Sequence, residues 1–231
     1  KALVNTLDDY IYAAEEFISE MKSKGAVGLK MPVRETSEPS RQEALRIFEK
    51  LRDGTIDRLP KVNPLYDYVI DQIIRMAEEY DLVLAVHTGY WGDFRTLNPL
   101  YIIPLVIRHP KARFDIFHLG YPWVRETLML GKGFPNVWLN LCWTHIISQK
   151  FATEALNEAV ELVPANKILA FGADYGLPVE KVYGHLIMAR EDIARALSPK
   201  IESGQITFSQ AKDIMKKWLH DNPKELYKLD L

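Results

Sequence analysis

The chain has 231 residues, 48% of them hydrophobic and 26% charged, which is apolar mass enough for one large α/β domain or two small ones. A net charge of −2, with no long basic or acidic block, argues against nucleic acid or a membrane surface as partner. The most apolar stretches, such as Leu97 to Ile107, are interrupted by Asn98, Pro99 and Pro104 and cannot span a bilayer, and the first residues carry no secretory-leader pattern.

The elements follow from periodicity. Leu7, Tyr10, Ile11, Ala14, Phe17, Ile18 and Met21 share one face of a helix that Gly25 ends. Ala26–Met31 reads as a short buried strand closing on Lys30. Residues 34–62 are polar, with a helix expected over Arg41–Arg52. Asn63-Pro64 is an N-cap followed by proline at the first helical position, and that helix runs to Tyr80. A strand ending at His87 comes next. Asn98-Pro99 opens a helix to Arg108, and a strand ending at His118 follows. Pro122 opens a helix to Gly131, and Asn136–Cys142 is a strand. Ser148 caps a helix to Val163, Lys167–Ala173 is a strand, and Pro178 opens a helix to Leu197. Thr207-Phe-Ser-Gln210 is a capping box, and Asn222-Pro-Lys-Glu-Leu-Tyr is a last short helix.

Five strands, each joined to the next through a helix, predict an α/β fold with a parallel sheet in a single domain over 1–231. No Gly-x-Gly-x-x-Gly or phosphate-cradling loop follows a strand, which favours a barrel over a nucleotide-binding sheet. Cys142 is the single cysteine, so no intrachain disulfide forms, and a cytoplasmic, reducing setting is expected. It follows an apolar run and is read as a buried, inert thiol.

Chemistry concentrates where apolar runs stop. His87 ends Leu82-Val-Leu-Ala-Val-His87-Thr-Gly, His118 ends Phe114-Asp-Ile-Phe-His118-Leu-Gly, and Asp174 ends Ile168-Leu-Ala-Phe-Gly-Ala-Asp174-Tyr-Gly. In a parallel barrel the C-terminal strand ends surround one mouth, so these three converge on one divalent ion. Lys30 ends an earlier strand and faces either solvent, a substrate carboxylate or, carbamylated, a pair of metals. Arg34 and Arg95 are loop cations suited to an anionic substrate. Trp91, Tyr175 and the other strand-end aromatics Tyr90, Trp123 and Trp143 suit a pocket wall, and His145 is placed to touch substrate. His109 is read as a solvated helix end, and His185 and His220 as surface or packing residues.

The run Val-His87-Thr-Gly, Phe-His118-Leu-Gly-Tyr-Pro, Phe-Gly-Ala-Asp174-Tyr, with the closing Asn222-Pro-Lys-Glu-Leu-Tyr-Lys-Leu, resembles the amidohydrolase 2 branch of the metal-dependent amidohydrolase superfamily from about residue 20 onward. The resemblance implies a (β/α)8 TIM barrel, with these five strands as strands four to eight. It makes His87 the strand-five ligand and Asp174 the strand-eight carboxylate. His118 becomes the strand-six histidine, either a second-metal ligand or a catalytic assistant, and Lys30 the strand-four lysine. One or two zinc-like ions are implied. The family's His-x-His pair on strand one is absent from this sequence, so the domain is expected to be N-terminally incomplete, with an open sheet edge. The expected reaction is hydrolysis of an amide, ester or ring bond in a small polar or anionic molecule, with Asp174 moving the proton of the attacking water. Non-oxidative decarboxylation at the same site is the rival reaction, and a non-catalytic binding barrel is the rival of another class. A small-molecule substrate is the expected partner, and a homo-oligomer stays open.

Overall fold

A computed structural model describes residues 4–59, 63–176 and 179–230. Helix α1 (Leu7–Ser23) is closed at its N-terminus by a capping box of Thr6 and Asp9. Of its apolar stripe only Leu7 and Ile18 are buried, while Tyr10 and Phe17 stay exposed, because α1 packs mainly on one other helix, α3 (Pro64–Glu79). Between them lie strand β1 (Gly28–Pro32) and α2 (Arg41–Arg52). Asn63 caps α3 by accepting from the Tyr66 amide at 2.6 Å, as the Asn-Pro pair predicts.

Strand β2 (Val83–His87) leads through short 3-10 turns to α4 (Ile103–Arg108), then β3 (Arg113–Phe117) and α5 (Val124–Gly133). Strand β4 (Val137–Asn140) is followed by the one-turn α6 (Thr144–Ile147), then α7 (Gln149–Leu162) and β5 (Ile168–Leu169). Strand β5 is shorter than the apolar run 167–173 predicts, because pairing with β4 ends at Leu169. The predicted opening of the next helix at Pro178 lies outside the described residues. Helix α8 (Glu180–Glu202), α9 (Phe208–Lys216), a π-turn (Lys217–Asp221) and α10 (Asn222–Tyr227) complete the chain.

All five strands are parallel and lie in sequence order, β1-β2-β3-β4-β5. A doubly wound sheet reverses its order at a switch point; this one never does, which is the winding of a barrel wall. The two faces differ in kind. Leu84, Val86, Phe114, Ile116, Val137 and Leu139 point one way and, fully buried, join Ile74, Leu105, Leu128, Leu156 and Ile193 of the helices in the main core. The residues between them point the other way. The register places Lys30, Ala85, Asp115 and Trp138 in one row and Pro32, His87 and Phe117 in the row above.

The lower end of this inner face is closed by the chain's own tail. Leu226 and Tyr227 of α10 pack against Val83, Leu169 and Trp138. Among the described residues the sheet ends at β1 and β5, each with one strand partner; at β5 the outward groups are met by the tail, where the Ala170 amide donates to the Trp218 carbonyl at 3.0 Å and Asn222 Nδ2 donates to the Ile168 carbonyl at 2.6 Å. Backbone groups that β5 cannot give to a sixth strand thus find partners in the π-turn and α10. Among the described residues, no helix is long and apolar enough to cross a membrane.

Candidate metal centre

His87 closes β2, and the loop behind it is pressed against the loop behind β3. A Cβ on Gly89, whose φ is +74°, would meet the Tyr121 carbonyl at 2.3 Å, and one on Gly120 would meet Thr127 Oγ1 at 2.0 Å. Thr88 Oγ1 donates to the Phe117 carbonyl at 2.7 Å across the same seam. The glycine two positions past His87 therefore lets the two loops approach, and the one two positions past His118 lets its loop sit against Thr127. His118, Trp143 and Asp174 all have left-handed backbone, with φ of 64°, 61° and 50°. Each such residue costs about 1–3 kcal/mol, strain that collects at functional sites.

These backbones bring the three predicted residues together: one ligand atom each from His87, His118 and Asp174 lie within 4.8 Å of one another. His118 is fully buried, His87 half-buried, and the Asp174 carboxylate reaches solvent. Burial pushes His118 down to about 4, with the Cys142 carbonyl pulling the other way and the charges of His87 and Lys30 lowering it further. Burial, then Lys30, also lowers His87. Both rings are neutral near pH 7. A carbonyl can only accept, so His118 Nδ1 carries the proton and donates to Cys142 O at 2.9 Å. Its Nε2 is then a lone pair, which accepts from His87 Nδ1 at 2.9 Å. His87 is left with an unprotonated Nε2, and that atom is buried without a hydrogen-bond partner.

An orphaned, buried imidazole lone pair beside a second neutral imidazole and a carboxylate is a donor set that fits a divalent ion of the zinc type. With both His118 nitrogens engaged in hydrogen bonds, His87 Nε2 and Asp174 would supply two protein ligands, fewer than the four of a closed structural zinc site, which leaves positions open.

Lys30 joins the group. Its Nζ lies 4.0 Å from the Phe117 ring centre and donates to Asp174 Oδ2 at 2.9 Å, the oxygen that lies 3.7 Å from His118 Nε2. Trp143, taken in sequence only as one of several strand-end aromatics, touches all three predicted residues. It stacks on His118 at 4.3 Å, meets His87 edge-on at 6.0 Å, and donates from Nε1 to the Asp174 carbonyl at 3.2 Å. Its signal in the sequence was its place just past the β4 run, beside Cys142. Below the site, Asp115 is fully buried and accepts from Tyr227 Oη at 2.6 Å and Asn140 Nδ2 at 2.8 Å.

Other predicted residues fall around this centre. Trp91 is exposed and meets Trp143 at 5.5 Å. Arg34 and Arg95 line one cavity of about 670 Å³ with Pro32, the residue paired with His87. There Arg34 lies over the Tyr66 ring at 4.5 Å, and Arg95 forms a fork with Asp93 at 2.8 Å. Tyr175 turns its hydroxyl to His185 Nδ1 at 2.6 Å, toward α8. Burial raises the Tyr175 phenol to about 12 and lowers His185 to about 4, so this is a bond between two neutral groups.

Two sequence expectations are corrected. His145 has no ring nitrogen free for substrate: it is fully buried, with Nδ1 at 2.9 Å from Asp192 and Nε2 at 2.8 Å from the Ala170 carbonyl. It faces the helix layer because α6 starts one turn past the strand end. His109 is not a solvated helix end; it is buried against Asp71 at 2.8 Å. Cys142 is buried as expected, and burial holds its thiol far above the usual thiol range.

Comparison with known proteins bears on the family and the fold. The Amidohydrolase family model matches residues 3–229. Protein fluG of Emericella nidulans is 25% identical over 211 residues, covering 87% of this chain and 24% of that protein. Among solved structures, a candidate metal-dependent hydrolase from Lactobacillus casei superposes with a TM-score of 0.80 at 23% identity, over 97% of this chain and 61% of its own. Uronate isomerase of Thermotoga maritima superposes at 0.82 with 19% identity, over 96% of this chain and 54% of its own. The chain thus spans about a quarter of the one relative and between half and two thirds of the two structures.

Proposed function

Because the chain belongs to the amidohydrolase family, we propose that it provides the metal-binding half-barrel of a metal-dependent hydrolase acting on a small polar or anionic substrate. The observation that carries this reading is the buried, partnerless His87 Nε2 beside neutral His118 and the Asp174 carboxylate. His87 and Asp174 would hold the ion. When bound, a divalent ion polarises the scissile group and makes water a nucleophile near neutral pH.

The remaining steps belong to side chains. Asp174 has two carboxylate oxygens at the mouth, and one of them takes the proton of the attacking water and returns it to the leaving group. His118 gives its Nε2 lone pair to His87 Nδ1–H and so fixes the tautomer that leaves His87 Nε2 free. This bond favours His118 as an assistant over His118 as a second-metal ligand. Trp143 covers the buried imidazole and holds the Asp174 backbone, which keeps water off one side. Arg34 and Arg95, in the cavity beside the His87 strand end, would meet an anionic group of the substrate.

The test is a screen of the zinc-loaded chain, and of any longer protein that contains it, against amides, lactones, aromatic carboxylates and a uronate. The uronate is included because a fold neighbour is a uronate isomerase. Hydrolysis is recognised by oxygen from labelled water in the product; carbon dioxide release without it identifies the decarboxylase instead. Asp174→Asn should lower kcat by about 10²–10⁴, with folding unchanged by circular dichroism. Full metal occupancy with no turnover of any class in the longer protein would replace the enzyme by a binding module.

A further inference from the structure

Lys30 starts on the edge strand β1, yet its ammonium sits over Phe117 on β3 and binds Asp174 beyond β5. The register explains the reach. Lys30 is paired with Ala85, the smallest side chain in its row, so the lysine stem crosses β2 above a methyl group. Its charge arrives at the one carboxylate of the centre, on the oxygen that also faces His118. A cation fixed there at 2.9 Å and a divalent ion held by the same carboxylate compete for the same negative charge, and at close range they repel each other.

We propose that Lys30 is the internal counter-ion of Asp174, which a divalent ion must displace to gain that carboxylate. The lysine thereby weakens metal binding, and once displaced it is left at the mouth as the cation for an anionic substrate group. This rests on the metal-centre reading above. It differs from a lysine that ligates metal, because removing a ligand weakens binding whereas removing a competitor strengthens it.

Zinc affinity measured by calorimetry, or by competition with a coloured chelator, decides between them without any activity assay. The chain is compared with Lys30→Met, Lys30→Gln, Lys30→Arg and His87→Ala, with and without added bicarbonate. Lys30→Met and Lys30→Gln should each bind zinc about tenfold more tightly than wild type, the effect of removing one like charge, exposed but in direct contact with the carboxylate, from the site. Lys30→Arg, which keeps the charge, should bind no more tightly than wild type, and bicarbonate should change nothing. Unchanged or weaker binding in both neutral variants overturns the proposal. So does tighter wild-type binding in bicarbonate, which would make the lysine a carbamylated ligand. If zinc binding is lost in His87→Ala while the neutral variants match wild type, the metal centre stands and only the counter-ion role falls. If zinc binds to neither wild type nor the neutral variants, the metal-centre reading falls and takes this one with it.

Discussion

His87 and Asp115 sit on the same face of the sheet, and each shows what burial does to a titratable group. Burial raises the Asp115 carboxyl to about 6, partly offset by donors from Tyr227 and Asn140. An unfolded aspartate titrates near 3.9. Between about pH 4 and 6 the unfolded chain has released this proton while the folded chain still holds it, so stability falls as pH rises through that window and stays lower above it. Asp115→Asn is neutral throughout and loses nothing there. Urea unfolding at pH 4 and pH 7 should show the variant gaining on wild type by on the order of 2–3 kcal/mol between the two pH values. An equal pH response in both proteins would contradict the burial argument. At this scale the sequence was legible where a polar residue ends an apolar run, as at His87, His118 and Asp174. Asp115 and Trp143 were not, since their importance depends on register and on a left-handed backbone, which no short pattern announces.

Elements were read well wherever local chemistry decides. Asn63-Pro64, Ser148 and the Thr207–Gln210 capping box all start helices as predicted, because the capping bond lies within four residues. Pro122 does not: the helix starts at Val124, with Trp123 bonded back to Gly120 at the seam behind His118. The role of the last helix was also hidden. Asn222-Pro reads locally as a helix start, yet Asn222 Nδ2 donates to the Ala165 carbonyl at 2.8 Å and the Ile168 carbonyl at 2.6 Å, sealing the β5 edge. Asn222→Ala would strand these carbonyls, and a buried unsatisfied acceptor costs about 1–3 kcal/mol. Chemical denaturation should show a loss of that size, with hydrogen exchange at the Ala170 amide accelerated. A loss below about 0.5 kcal/mol, within the range of an ordinary surface substitution, would mean the edge is held by other contacts.

For the whole molecule, alternation of helix and strand sufficed to predict a parallel barrel wall, and the unbroken strand order bears it out. The wholly apolar outer face and the mixed inner face that carries Lys30, His87 and Asp115 follow from the same period of two. What the pattern could not supply is the closure of the inner face by α10, a contact between residues more than a hundred positions apart, such as Tyr227 and Asp115. With that floor beneath it, the centre sits at the upper strand ends, where barrel enzymes keep their chemistry. The most direct measurement is a crystal structure of the zinc-loaded protein with data collected at the zinc absorption edge. One anomalous peak is expected, about 2.0–2.2 Å from His87 Nε2 and from an Asp174 carboxylate oxygen, where the centre holds a divalent ion. A peak elsewhere, or a zinc-soaked centre without one and with Lys30 still on Asp174, would contradict it.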